Sequence, residues 1–497
     1  MKSKLNNGFT LILRICLLIF ALLMTLGALI CVKQLIFSGA WSTPKRTLAV
    51  FMLTLGLIYA SCYLLFKIPD RTVINRLVVV VLLVIFGILF LSWVYNTPVK
   101  QTSDYHTFWK YGRQAVLGGP IYYHDNNYFA KWAYQTGFLT YVMAVIKVFG
   151  AHLRVLQFLN VLWQLVALVL TYELAQRLFH HTAISRISLF LLGINWEWLA
   201  LNGRLTNQYL ALVFFLLTWI LLLNDNWTSW LAAGVTLALG NIVRPLGIVF
   251  LAGIIVFCIV YRILAHSDSW QQNLVSLLSL ILVYFLVIAA SGSLIKQSGL
   301  NEFGLKNRDS EWKFVIGLNY PSRGSYSQPL VKEFNLKDSR AVMLKQEKQV
   351  TQRHIRYLNK HHLWASLFLQ KFFTVWSNPS NTLSFSLFDH NHSPQQVRQA
   401  NLWSYAITVS EIWLVLMGAF TLARHKYPNS FNLLLLILFA YAAAQVIIEV
   451  QGRYRLEFEP VLVIIAAVGL TQLYSPQHLN LVPTLQDGGE TNWSQVS

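Results

Sequence analysis

Charge is scarce in this chain of 497 residues: 12% are charged, against roughly 25% in an ordinary soluble domain. A chain so poor in hydrated side chains cannot cover its own surface, which excludes a water-soluble globule. Acidic residues are scarcer still, with 20 Asp+Glu against 39 Lys+Arg and a formal charge of +19. The basic residues lie in loops between apolar blocks, not on one polar face, so nucleic acid is excluded as a partner; anionic lipid or a phosphate-bearing substrate fits better. Cysteine is nearly absent. Cys16, Cys31, Cys62 and Cys258 all fall in apolar stretches without metal or redox spacing, so no disulfide framework is expected. No group of His, Cys, Asp and Glu has ligand spacing either, and no metal is expected. An internal repeat is also lacking, which weighs against a transporter built from two inverted halves.

What the chain has instead is apolar length: 56% of residues are hydrophobic and the mean hydropathy is +0.50. The apolar residues form blocks of roughly 18 to 24, enough to cross a hydrocarbon core of about 30 Å as helices. They run from Ile15–Leu35 to Pro460–Tyr474 and predict an all-α polytopic membrane protein with about twelve crossings. Thr136 to Gly150 is apolar but short and carries Lys147, so it is expected to lie at the interface. Lys2, Lys4 and Arg14 precede the first block without a distinct cleavage site, which reads as a retained span.

The pattern divides into N-terminal spans (1–96), a first outer loop (97–150), a central bundle (151–295), a basic outer loop (296–401), C-terminal spans (402–474) and a tail (475–497) expected to be disordered. Lys67 to Arg76, Arg177 to Arg186 and Arg424 to Lys426 are basic and read as cytoplasmic, which puts both large polar segments outside. The second of these holds 15 Lys+Arg and 7 Asp+Glu. It predicts amphipathic helices near Ser339 to Leu358 and Leu363 to Trp376.

Ionisable groups beside membrane spans are costly, about 2.5 to 3.5 kcal/mol each at a helix centre, and need a partner or a task. Asp104 opens an aromatic stretch with Tyr105 and Trp109, either as a base for an acceptor hydroxyl or as a helix N-cap. Trp132, Tyr134 and Gln135 suit a sugar face or a membrane interface. Arg204 and Asn207 sit at a helix junction. Arg244 precedes a helix-breaking proline and needs an anion, from a protein carboxylate or a substrate phosphate. Glu449 to Glu459 is a short link with five charges, by default a solvated ion-pair turn. Under the charge-derived topology all these clusters fall on one side, which favours a shared outward site.

These segments, in this order, resemble the GT-C lipid-linked sugar transferases, in the branch of the protein O-mannosyltransferases and lipid A aminoarabinose transferases. The resemblance rests on Ser103-Asp104-Tyr105 with Lys131 to Gln135, on Arg244-Pro245, and on Glu449 to Tyr454 with its Arg453-Tyr454 pair. Gly317 to Asn319 with Gly324, and Lys371 to Trp376, are similar to bacterial members. It implies a GT-C-like helical bundle in a bacterial plasma membrane, an extracytoplasmic site, a polyprenyl-phosphate sugar donor, no cofactor or metal, and transfer with inversion. The acceptor would be a cell-envelope glycan, a glycolipid or a protein. Asp104 would be the base. Arg244, Lys371, Arg453 and Tyr454 would bind donor phosphate, while Tyr105, Trp109, Trp132, Tyr134, Gln135, Arg204, Asn207, Asn319 and Glu449 would line the sugar and acceptor side. Two features depart from the family pattern: Ala133 stands where proline is usual, and two extra spans precede the one leading into the catalytic loop. A polymerase or ligase of lipid-linked oligosaccharides is the nearer rival; it would depend on a loop arginine such as Arg323 and not on Asp104. A lipid-sugar transporter is the more distant one.

Overall fold

The computed structural model describes residues 2–123, 127–265, 269–307, 311–335, 337–475 and 481. The expected disordered tail lies outside them apart from Ser475 and Leu481. All regular structure among the described residues is helical. The main helices are α1 (Lys2–Ser38), α2 (Pro44–Lys67), α3 (Thr72–Asn96), α4 (Ser103–Val116), α5 (Thr136–Phe149), α6 (Leu153–Phe179), α7 (Thr182–Ile194), α8 (Gln208–Leu222) and α9 (Trp227–Val243). They continue with α10 (Gly247–Phe257), α11 (Trp270–Gln297), α12 (Trp312–Gly317), α13 (Arg340–Lys360), α14 (Trp364–Trp376), α15 (Pro394–Arg424), α16 (Phe431–Ile447) and α17 (Glu459–Tyr474).

Six helices (α1, α2, α3, α6, α11, α15) are long and apolar enough to cross a membrane, and a seventh span results if α7 and the bent segment 196–203 count together. Five shorter apolar helices cover α8 to α10, α16 and α17. Each predicted apolar block falls on these helices, with Ile187 to Leu201 running across the break between α7 and the bent segment. At 14 residues, α5 is about 21 Å long and too short to cross. It packs on α4 instead.

Burial sorts the helices into layers. Almost every residue of α17 from Glu459 to Thr471 is buried, as befits a helix that is apolar all round. It packs most extensively along α15. A Cβ on Gly418 would lie 1.8 Å from the carbonyl oxygen of Ile465, so these two backbones touch only because that residue is glycine. Helices α2, α3 and α11 are peripheral and turn Leu53, Leu57, Val80, Ile88, Leu278 and Leu282 outward as a lipid-facing surface. The amphipathic α13 and α14 form close to their predicted positions, with Ser339 at the N-cap of α13.

The bundle has two polar ends. At one, Arg186 donates to the carbonyls of Ile68 (2.8 Å) and Pro69 (3.0 Å), Thr182 bonds Asp70, and Arg14 donates to the carbonyl of His425. The loops predicted to share a side therefore touch one another. At the other end α4, α5, α12, α14 and the link 448–458 meet.

Candidate active site

The link after α16 is held from below. Arg455, fully buried, is ion-paired with Glu197 and with Glu459 at 3.0 Å. It also donates to the carbonyls of Val375 and Asn378. With Arg455 pointing inward, the neighbouring Gly452–Arg455 turn directs Arg453 the other way. The five charges of the link are thus buried or half-buried and partnered, which corrects the expectation of a solvated turn.

Arg453 donates from Nε to Gln451 Oε1 at 2.8 Å and from Nη1 to the Tyr105 hydroxyl. Its guanidinium lies 4.8 Å from the ring centroid of Phe385 and 5.7 Å from that of Tyr105. Among the described residues its second terminal nitrogen bonds to nothing. Burial lowers the pKa of this guanidinium, but Tyr105, Tyr454 and Asp104 outweigh it and hold the group firmly charged. Gln451 continues the chain of contacts by donating to Glu449 at 2.8 Å, and Glu449 receives Lys313 at 2.7 Å. Burial alone would raise the Glu449 carboxyl; Lys313, with Gln451 and Arg453, overcomes it and pulls the pKa below the ordinary value. Lys313 is raised in turn: desolvation lowers it, but Glu449, Tyr454 and Tyr134 together outweigh that loss.

Lys313 reaches the link because α12 comes close to it. The Glu449 amide donates to the Lys313 carbonyl at 2.9 Å. A Cβ on Gly317 would lie 2.3 Å from the Ile447 carbonyl oxygen, so this approach requires glycine.

Asp104 enters from α4. Thr102, not Asp104, occupies the N-cap, and no side chain caps the helix. The N-cap expectation therefore does not hold. Ser103 before it has φ +51°, a left-handed conformation uncommon outside glycine. Asp104, Tyr105, Phe108 and Gly112 share the inward face of α4, as i, i+4 spacing requires. The Tyr128 hydroxyl hydrogen-bonds Asp104, and its pKa is pushed up by burial and then by that carboxylate. Tyr134, raised chiefly by burial, lies within electrostatic reach of Lys313, Tyr454, Asp104 and Arg244 at once. Gln135 donates to its hydroxyl at 3.2 Å. Tyr454 presents its ring to Arg244 at 5.4 Å and Lys313 at 5.7 Å.

Asp104, Tyr105, Tyr134, Gln135, Glu449, Arg453 and Tyr454 thus gather in one place, across as many as 350 residues of chain. Other expected residues do not act as foreseen. Arg244 lies 2.5 Å from the buried Glu457 and donates to Asn207 at 3.1 Å, so its anion is a protein carboxylate. Lys371 donates to the carbonyls of Gly317 and Val446, both at 2.8 Å, and ties helix ends together instead of meeting phosphate. Arg204 spends its terminal nitrogens on the carbonyls of Lys100 and Ser386. Asn207 bonds Arg244 and the Val243 carbonyl. Asn319 bonds Ser322 within its own turn. Trp132 packs against Trp312. Trp109 faces away on the outer side of α4. Arg323 is exposed.

Sequence reasoning missed Lys313; Tyr128, Gln451 and Gln208 lie in the clusters it singled out, but it gave them no role of their own. Gln208 donates to the Arg453 carbonyl at 2.9 Å and to Glu457 at 3.1 Å. No group of three or more potential metal ligands occurs among the described residues.

Residues 138–291 match the model of the dolichyl-phosphate-mannose-protein mannosyltransferase family. No curated protein matches the chain. Among solved structures, a crystal structure of ArnT from Cupriavidus metallidurans bound to undecaprenyl phosphate aligns over 80% of this chain and 78% of its own, at 11% identity and a TM-score of 0.34.

Proposed function

We propose, with kinship to the GT-C glycosyltransferases as premise, that this multi-pass membrane protein moves a sugar from a polyprenyl-phosphate donor to an acceptor hydroxyl. The reaction takes place at the outer end of the bundle and inverts the anomeric centre. The observation that supports this best is the meeting of Asp104 with Arg453, a carboxylate within electrostatic reach of a guanidinium with which it forms no ion pair.

In this reaction Asp104 takes the proton of the acceptor hydroxyl as its oxygen attacks the anomeric carbon. The bond from that carbon to the phosphate oxygen breaks on the opposite face, and the lipid phosphate departs with the electron pair. Arg453 neutralises the departing anion with its free nitrogen, and Lys313 adds positive field from beside Glu449. The Tyr128 hydroxyl orients Asp104. Tyr134 and Tyr454 wall the sugar. Tyr105 and Gln451 fix the guanidinium so that little reorganisation is needed as charge develops.

Purified protein incubated with a panel of radiolabelled polyprenyl-phosphate sugars tests the proposal. Asp104→Asn is expected to lower transfer by about 10²- to 10⁴-fold while donor binding persists. Full transfer by that variant would remove Asp104 as the base.

A further inference from the structure

The outer face of α4 borders a cavity of about 530 Å³ lined by Lys100, Gln101, His106, Trp109, His152 and Arg154 together with Val99, Ala151 and Leu153. Its charge has one sign: two permanent cations and two histidines line it, and no carboxylate does. Gln101 is fixed, donating to the carbonyls of Val99 and Gly203 and accepting from the Leu205 amide. Arg154 is held at one nitrogen by the Val94 carbonyl at 2.7 Å and by Gln157 at 3.1 Å. Among the described residues, the side chains of Lys100, His106 and His152 have no hydrogen-bond or ion-pair partner. A volume of this size holds a sugar with its substituents. Uncompensated cations around one aromatic ring are the chemistry of an anionic saccharide: an anion for the cations and a sugar face for Trp109.

Position gives this cavity its meaning. Lys100 and Gln101 lie just before the helix that carries Asp104, and His106 and Trp109 follow Asp104 on it. We infer that the cavity holds the phosphate- or carboxylate-bearing part of the acceptor, on the opposite side of α4 from the donor phosphate at Arg453. The acceptor would then lie across the start of α4 with its free hydroxyl at Asp104. This rests on the proposed reaction for the word acceptor, but not for the binding of a sugar anion.

The full chain in phosphatidylcholine nanodiscs tests this by saturation-transfer NMR with glucose 6-phosphate, glucuronate and glucose as probes. The two anions are expected to show binding and neutral glucose none. Lys100→Glu and His152→Glu, both at exposed positions, should each weaken glucose 6-phosphate by about tenfold or more, and Trp109→Ala should weaken it too. Binding of polyprenyl phosphate, measured on the same samples, should be lost in Arg453→Ala and unchanged in Lys100→Glu. Equal binding of glucose, or no effect of Lys100→Glu, would overturn the inference. So would complete displacement of the probes by phosphatidylglycerol in the discs, which would make the occupant a lipid headgroup. Loss of polyprenyl-phosphate binding to the unaltered protein, with the glucose 6-phosphate signal intact, would count against the proposed reaction and leave the anion cavity standing.

Discussion

A cation buried beside a membrane can answer to a substrate, a carboxylate or a carbonyl, and the residue alone does not say which. Arg453, Arg244, Lys371 and Arg204 look alike in sequence, yet Arg244 is paired with the Glu457 carboxylate and Lys371 and Arg204 with backbone carbonyls, while Arg453, among the described residues, bonds only the neutral side chains of Gln451 and Tyr105. Arg453→Lys therefore should cost donor affinity, since an ammonium cannot hold Tyr105, Gln451 and a phosphate in one plane. A loss of about tenfold or more is expected in polyprenyl-phosphate binding; unchanged affinity would count against the phosphate role. Lys371 behaves differently because burial pushes its amine down to about 7. The unfolded chain keeps the proton up to about 10.4, so between these values the unfolded state binds more protons and stability rises with pH. The stabilisation is complete above the unfolded value and is lost as pH falls to about 7. Thermal melts of the protein should gain stability across that window relative to Lys371→Met. Parallel pH profiles would show that the amine is not the titrating group.

At the scale of elements the sequence was more transparent for helices than for their meeting points. Apolar length predicts spans because it depends only on local composition, and each predicted block lies on a helix. The facing of α4 was legible too, since Asp104, Tyr105 and Phe108 fall on one side at helical spacing while His106 and Trp109 fall on the other. Trp109 therefore lies across α4 from Arg453, on the side of the cavity with His106. Lys313 carried no local signal: it lies in a polar segment among many lysines, and only the approach of α12 to the end of α16 gives it Glu449. That approach depends on Gly317. Gly317→Ala should push α12 away from the Ile447 carbonyl, part Lys313 from Glu449 and destabilise the protein by about 1 to 3 kcal/mol. A melting temperature equal to that of the unaltered chain would show that the contact yields without cost.

For the whole molecule, the decisive question is which end faces which compartment. The polar contacts already sort the loops: Arg186 with Ile68 and Pro69, and Arg14 with His425, gather the basic loops at one end, while Asp104, Lys313, Glu449 and Arg453 gather at the other. Basic loops are retained on the cytoplasmic side, so the site end should face outward. Arg323 and Lys426 are both exposed and separated by α13, α14 and α15. Helix α13 has 21 residues, enough in length, but it is studded with Lys and Arg that would cost several kcal/mol in hydrocarbon; α14 has 13 and is too short. Only α15 then crosses between them. In a chain whose four cysteines are replaced by alanine, Arg323→Cys should react with an impermeant maleimide on intact cells. Lys426→Cys should react only after permeabilisation. If both label from outside, α13 or α14 must cross as well, and the site end could no longer be assigned from the charge of the loops; if only Lys426→Cys labels, the bundle is inverted and the acceptor must be sought in the cytoplasm.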